Sequence, residues 1–409
     1  MARQFILALI PLALAGCGGS KVPEAAVTTG PPAETRPRVT DYEPAFAGQT
    51  RAPVKTANVA IEVETVAQGL DTPWAMEFLP DGRILVTERS GGFRIVARDG
   101  KVGPATSADP PVLVKGQGGL LDVALDPGFA RNSTIYWTYS EPLPDGTNRT
   151  ALAKGILQVA GTQPRIRNVS VIFRQKPAWA SGLHFGSRIV FAPDGKLFLT
   201  LGERSVPEAR GLSQDLTTDL GKVVRLEKDG RPAADNPFAR RNDARPEIWS
   251  YGHRNIQAAA IEPATGKLWI VEHGPQGGDE VNVPEAGKNY GWPIITYGIE
   301  YSGPKIGEGI TQKEGLEQPV YYWDPNIAPS SLLFYTGDAF PAWRNSAFIG
   351  GLAGQKIVRL TIENGRVTGE EWLLDTAEHR FRDLKQGPDG FIYALTEEGL
   401  ILRIRPKGP

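Results

Sequence analysis

The chain has 409 residues, with 45 basic and 46 acidic side chains and a formal net charge of −1. That balance sets up no long-range field to gather nucleic acid or an acidic membrane surface, so no nucleic-acid partner is expected. A hydrophobic share of 41%, 47 Gly and 34 Pro point to short apolar runs and many turns, hence one large all-β domain, and the single Cys excludes a disulfide framework or a multi-thiolate metal site.

The chain opens with "MARQFILALIPLALAGC": a basic Arg3, an apolar stretch from Phe5 to Leu14, then small residues before Cys17. The apolar part is too short to span a bilayer, and residues 1–16 read as a signal peptide of lipoprotein type. Cys17 is the expected lipidation site; the plainer alternative is a cleaved signal followed by an incidental cysteine. Several acyl chains on one residue would hold the protein stably at a membrane. Gly18, rather than Asp, follows the cysteine, which points to the periplasmic side of a bacterial envelope and an outer-membrane anchor. Residues 17–57 are rich in Pro, Ala, Gly, Thr and Glu, and "TTGPPAETRPR" buries too little surface to offset chain entropy; a flexible linker is predicted there.

A folded domain is predicted over 58–409, with a first strand near Val59–Val66. A tight turn followed by an apolar strand then recurs six times, at Pro80, Pro127, Pro193, Pro263, Pro341 and Pro388. The spacing runs from 47 residues (Pro80 to Pro127) to 78 (Pro263 to Pro341), which suits a repeat of several strands per unit. Radial sheets with protected edges make a six-bladed β-propeller. Beyond Pro388 the chain holds only about two more strands, so the N-terminal strand is expected to complete the last blade. A β-sandwich pair and a β-helix are alternatives; the uneven spacing argues against the β-helix. In a propeller, functional residues sit in the loops that flank strands at the channel mouth.

Five segments there carry possible chemistry. In "KGQGGLLDV", Gln117 enters a strand between glycines and either points into the channel or is a solvated turn residue. In "SGLHFGSR", His184 lies between Gly182 and Gly186; it is either a packed histidine or a general base. Glu203, in "TLGERS", can reach the same mouth or stay an exposed turn carboxylate. In "YGHRNIQ", Arg254 and Asn255 suit a carboxylate or oxyanion, or else a structural salt bridge. The stretch "EHGPQGGDEVNVPEAGKNYGWP" supplies oxygens without thiolates, suited to a hard cation such as calcium or to an acidic turn. His253 and His273 show no zinc spacing and are expected to be structural. In "HRFRDL", Arg380 and Arg382 share a face by the two-residue strand period, and two such guanidiniums are costly to bury unless an anion meets them.

Eight stretches taken in order resemble the pyrroloquinoline-quinone (PQQ)-dependent soluble aldose sugar dehydrogenases of the glucose/sorbosone dehydrogenase type. They include "GLDTPWAMEFLPDGRILVTER", "GQGGLLDVALDPGF", "HFGSRIVFAPDGKLFLTLGE", "PEIWSYGHRNIQ" and "RFRDLKQGPDG", and they cover about residues 60 to 405. The resemblance implies a six-bladed propeller that oxidises aldoses to lactones. In it His184 is the general base, and Gln117 and Arg254 lie at cofactor and substrate, Arg254 counting with His184 as catalytic. Asn255 contacts the quinone, and Arg380 and Arg382 meet its carboxylates. Carbonyls of Gly274 and Pro275 would ligate the calcium that polarises the quinone, and Glu280 with the Tyr290 carbonyl a further, structural calcium. Electrons would pass to an external acceptor, a quinone or a cytochrome.

Departures accompany the match. Ala353 and Gly354 occupy the neighbourhood of a cofactor-contacting lysine, with Lys356 displaced from it. Glu203, at the substrate position, replaces Asp. Leu183 replaces an acidic sugar contact, Asn326 a threonine and Asp324 a tryptophan. These changes imply a broad aldose dehydrogenase rather than a glucose specialist. Two other classes remain open on sequence alone. A calcium-dependent lactonase would need a carboxylate-rich metal centre and no arginine pair. A non-catalytic envelope propeller would need neither His184 nor Arg254.

Overall fold

A computed structural model describes residues 28–408; the signal segment and Cys17 lie outside these described residues. Three strands precede the repeats: β1 (Thr28–Pro32), β2 (Pro53–Thr56) and β3 (Ile61–Ala67). Blade 1 is β4 (Pro73–Phe78), β5 (Ile84–Glu88), β6 (Gly92–Val96) and β7 (Thr106–Ser107). Blade 2 is β8 (Leu120–Leu125), β9 (Thr134–Pro142), β10 (Asn148–Ala160) and β11 (Gln163–Arg174). Blade 3 is β12 (Gly186–Phe191), β13 (Leu197–Leu201), β14 (Lys222–Leu226) and β15 (Ile248–Tyr251). Blade 4 is β16 (Ile256–Ile261), β17 (Leu268–Glu272), β18 (Asp279–Asn282) and β19 (Tyr321–Trp323). Blade 5 is β20 (Pro329–Phe334), β21 (Ala347–Gly351), β22 (Lys356–Glu363) and β23 (Arg366–Leu373). Blade 6 is β24 (Phe381–Gln386), β25 (Ile392–Thr396) and β26 (Ile401–Pro406), closed by β3 in antiparallel register, Ile404 opposite Val63.

The six-bladed propeller expected from the turn repeat is therefore the fold, and each repeated turn joins the first strand of a blade to its second. In three of them an aspartate Oδ1 accepts the N–H two residues on: Asp81 from Arg83 (3.1 Å), Asp194 from Lys196 (3.0 Å) and Asp389 from Phe391 (3.1 Å). Gly82, Gly195 and Gly390 take the left-handed position these turns require, at φ 83, 84 and 79. The second strands "ILVTE", "LFLTL", "LWIVE" and "IYALT" are buried throughout, because neighbouring blades cover both faces. The apolar core accordingly lies between blades: Trp74, Leu85, Phe93 and Trp137 pack blade 1 on blade 2, and Trp269 meets Phe334 edge-on between blades 4 and 5.

The axis itself is polar. Arg188 of β12 crosses it, pairing through Nη1 with Asp122 of β8 (2.9 Å) and Asp383 of β24 (3.1 Å). Its Nε donates to the Gln257 carbonyl of β16 (2.9 Å) and Nη2 to the Ser330 carbonyl of β20 (2.6 Å). The guanidinium also lies 4.4 Å from the Trp74 ring of β4. One side chain thus ties the other five inner strands together and floors the mouth. A buried arginine is tolerable here because carboxylates and carbonyls satisfy it.

The linker expectation changes over residues 28–57, which pack on the propeller. Asp324 accepts from Val39 N (2.8 Å), Thr40 N (3.1 Å) and Thr40 Oγ1 (2.9 Å). Gln49 is fully buried, bonded to the Pro319 carbonyl (2.9 Å) and the Tyr297 hydroxyl (3.0 Å), and β2 adds in parallel beside β23. The segment is polar in composition, yet its backbone and amide groups find partners on blades 4 and 5, so hydrogen bonding replaces the apolar burial it lacks.

Candidate active site at the mouth of the channel

Each blade contributes the start of its first strand and the end of its second to one mouth. Gln117 precedes β8, His184 precedes β12, Arg254 and Asn255 precede β16, and Arg380 precedes β24; Glu203, Gly274 and Glu397 follow β13, β17 and β25. Residues 125 positions apart in the chain are brought together by this arrangement, as the bond from Arg382 to Gln257 (3.1 Å) illustrates.

His184 is buried and left-handed at φ 48, a conformation held by its N–H donating to Gln117 Oε1 (2.8 Å). Gly186 has no room for a side chain, since a Cβ there would lie 2.7 Å from Leu201 Cα. His184 Nδ1 lies 2.7 Å from Glu203 Oε1. Burial first, and then the Arg254 charge, push the imidazole down to about 4, against the pull of Glu203, so it is neutral near pH 7. Burial raises the Glu203 carboxyl, but the bond to His184, the Arg254 charge and the Ser205 N–H (2.7 Å) outweigh it and keep it ionised. An ionised acceptor at Nδ1 puts the proton on that nitrogen and leaves the lone pair on Nε2. The carboxylate thus orients the imidazole and leaves Nε2 free to accept a proton. Leu183, 41% exposed, stands beside it.

Arg254 and Asn255 face the same space from blade 4. Arg254 N donates to Glu272 Oε2 (2.7 Å), and Nη1 donates to the carbonyls of His273 (2.9 Å) and Gly274 (2.7 Å). Asn255 Oδ1 accepts from Gly186 N (3.2 Å) and Gln257 Nε2 (3.3 Å). Arg254 Nε and Asn255 Nδ2 are buried without a partner among the described residues. Unmet buried donors cost 1–3 kcal/mol each, so the pair suits an acceptor-rich ligand such as a quinone bearing carboxylates.

Arg380 and Arg382 do share a face: both meet Glu397, Arg380 through Nε (2.5 Å) and Arg382 through Nη2. Burial raises the Glu397 carboxyl, but the two guanidiniums hold it well below the usual carboxylate range. The anion predicted for this pair is thus partly supplied by the chain, one carboxylate between two cations. Lys356 is not in the mouth; its Nζ stacks 3.1 Å from the Trp372 ring.

Gly274, Pro275, Glu280 and Tyr290 line one small pocket with Arg254 and Glu272. Asp279, which sequence reasoning missed, organises it. Its Oδ1 accepts from Gly274 N (2.8 Å) and Asn326 Nδ2 (2.6 Å), and Oδ2 from Ile327 N (2.8 Å) and Ala328 N (2.7 Å). Burial pushes this carboxyl up to about 6, with the four donors opposing. Glu280 stands directly opposite Glu272 across β17 and β18, and burial with the Glu272 charge raises it well above an ordinary carboxyl. Like charges so paired call for a proton or a cation. Among the described residues no three His, Cys, Asp or Glu side chains are grouped to hold a metal, so carbonyls would have to complete any site. His253 bonds Ser250 Oγ (2.9 Å) and Glu272 (3.0 Å), and His273 Nε2 lies 2.7 Å from the Pro329 carbonyl; both have structural partners.

The contact roles that sequence reasoning missed share a reason. Asp279, Asp324 and Arg204 act through contacts with distant loops, and single-sequence patterning carries no signal for such partners. Arg204 is fully buried against the Phe185 ring (3.8 Å) and donates to the Ser181 carbonyl (2.6 Å), while Ser181 Oγ donates to the Arg204 carbonyl (2.6 Å). It braces the loop that carries His184.

The glucose/sorbosone dehydrogenase family profile matches residues 70–403. Over 355 residues the chain is 42% identical to the aldose sugar dehydrogenase YliI of Escherichia coli, covering 86% of this chain and 94% of that protein. The crystal structure of the soluble aldose sugar dehydrogenase from E. coli in its apo form superposes with a TM-score of 0.81 at 42% identity, over 85% of this chain and all of that one. The PQQ-bound aldose sugar dehydrogenase of Streptomyces coelicolor gives a TM-score of 0.68 at 27% identity, over 85% of this chain and 99% of that one.

Proposed function

The chain belongs to the glucose/sorbosone dehydrogenase family and is an oxidoreductase, and we propose that it oxidises aldoses at the anomeric carbon to lactones with PQQ and calcium. The observation that carries this reading is the neutral, buried His184 oriented by Glu203 beside the unmet donors of Arg254 and Asn255. When bound, the quinone would supply a hydride acceptor for the anomeric carbon. His184 Nε2 takes the proton from the anomeric hydroxyl, and the electron pair of that O–H bond becomes the new carbonyl bond. Glu203 fixes the tautomer and stabilises the imidazolium as it forms. Arg254 Nε and Asn255 Nδ2 offer hydrogen bonds to the quinone, Arg380 and Arg382 their free N–H groups to its carboxylates, and Gln117 with Glu203 polar contacts to the sugar.

For calcium, the carbonyls of Gly274 and Pro275 are the proposed ligands beside the cofactor. The Gly274 oxygen already accepts from Arg254, and its second lone pair can serve a cation. Glu280 and the Tyr290 carbonyl are proposed for the structural ion, which would relieve the Glu272–Glu280 repulsion. Leu183 and Asn326 in place of polar family contacts support a broad aldose range. We further place the protein on the periplasmic side of the envelope, anchored through Cys17 and passing electrons to an external acceptor; among the described residues no helix is long and apolar enough to cross a membrane. The test is reconstitution of the purified protein with PQQ and calcium, followed by a panel of aldoses and a redox dye. Dye reduction with several aldoses is expected. No reduction with any aldose, together with no change in cofactor absorbance, overturns the reading. Mass spectrometry of the native N-terminus tests the acylation.

A further inference from the structure

The second strands of blades 3, 4 and 6 each deliver a charged or metal-facing residue to the mouth, namely Glu203, the Glu272–Gly274 turn and Glu397. In blade 1 Arg89 directly follows β5, as Glu397 directly follows β25 in blade 6. Its backbone is clamped at the mouth: Arg89 N donates to the Thr72 carbonyl (3.1 Å), and its own carbonyl accepts from Leu120 N (3.3 Å) at the start of β8. Gly119, two residues from Gln117, leaves it space, since a Cβ there would lie 2.8 Å from Arg89 Cγ.

The side chain has no counterpart. Arg188 is met by Asp122 and Asp383, Arg254 by carbonyls, and Arg380 and Arg382 by Glu397. The adjacent Glu88 is committed elsewhere, to Asp71 N (2.8 Å) and Arg94 Nε (2.9 Å). Arg89 makes no side-chain hydrogen bond or ion pair with any described residue, and its Nε is buried without a partner. It is close enough to Arg382 for its charge to join burial in lowering that residue's pKa. The rim between blades 6 and 1 therefore holds Arg89, Arg380 and Arg382 against the single carboxylate of Glu397. That leaves an excess of two positive charges with one buried N–H unmet, an arrangement suited to an anion of more than one carboxylate.

We propose that Arg89 is a further cofactor-binding residue, a third guanidinium that pairs with a carboxylate of the polycarboxylate held by Arg380 and Arg382, which is PQQ if the function proposed above holds. The chemistry that recognises it is an aromatic polycarboxylate. Quenching of intrinsic tryptophan fluorescence reads binding without turnover. Wild type, Arg89→Gln and Arg89→Lys are titrated with PQQ and, separately, with trimesate, an aromatic tricarboxylate that lacks the quinone. Loss of one charge-assisted contact is expected to weaken binding of Arg89→Gln roughly tenfold to a hundredfold. Arg89→Lys should recover part of it, and the salt dependence of Arg89→Gln should be shallower. Thermal melting of Arg89→Gln without ligand should not fall and should rise slightly, because the substitution removes a charge that repels Arg382 and bonds to no described side chain. Arg89→Gln binding within twofold of wild type overturns the proposal. Wild-type binding of trimesate but not PQQ, with Arg89→Gln weaker, overturns the cofactor reading and upholds Arg89 as an anion-binding residue. Wild-type binding of neither overturns both.

Discussion

Replacing Glu203 by Gln changes one atom and one charge at the position that orients the base. The carboxylate lies 2.7 Å from His184 Nδ1 and also accepts from Ser205 N at 2.7 Å. Gln cannot serve both donors, because one of its terminal atoms is itself a donor. The larger effect is on the imidazolium that forms as Nε2 takes the substrate proton. Two unit charges about 4 Å apart at an effective dielectric of about 20 interact by ~4 kcal/mol. A neutral bond from the Gln carbonyl retains ~1 kcal/mol, so the barrier should rise by about 2 to 4 kcal/mol, or about 30- to 1,000-fold in turnover. The sign of the pH effect is also determined. Glu203 supplies the two influences that raise the His184 pKa, so the acid limb of turnover, expected near 4 in wild type, moves lower in the variant. The assay is steady-state dye reduction by reconstituted enzyme at saturating aldose across the acid range, with cofactor affinity measured alongside. Turnover within threefold of wild type, or an acid limb that moves upward, refutes the role given to Glu203.

His184→Ala should keep cofactor binding in an absorbance titration while turnover falls roughly 100- to 10,000-fold; wild-type turnover would mean another group is the base. Because the His184 pKa is depressed to about 4, the unfolded chain binds a proton below about 6.5 that the folded chain refuses, so stability falls as pH drops from there towards 4. Relative to His184→Gln, wild type should lose about 2 kcal/mol between about pH 7 and pH 5, read by urea unfolding; an unchanged gap counts against a neutral buried imidazole. Asp279→Ala strands four donors and should cost roughly 3 kcal/mol or more, with melting no longer responsive to calcium. Asp324→Ala removes the acceptor for Val39 and Thr40, and limited proteolysis within residues 33–50 should accelerate at unchanged melting of the propeller.

Much of the fold was readable in the sequence because propeller turns are local. Asp81, Asp194 and Asp389 close turns on residues two positions away, and the strands after them follow at once, so six blades can be counted from short windows. Arg380 and Arg382, two positions apart, both reach Glu397, although Arg380 lies just before β24. The candidate base stood out as one of four histidines, set among glycines whose freedom that backbone needs. What the sequence by itself determined is this local layer: turn chemistry, strand period, and the residue types delivered to one rim. Only the tertiary structure decided which of those residues meet. The Glu203 contact to His184, the four donors on Asp279 and the docking of residues 28–57 on Asp324 all join segments that lie apart in sequence or on different blades. The same holds for Arg89, whose lack of a partner among the described residues is visible only once every neighbouring carboxylate has been assigned. A linear pattern records where a side chain leaves the backbone; the charge it meets is set by how the blades close around the axis.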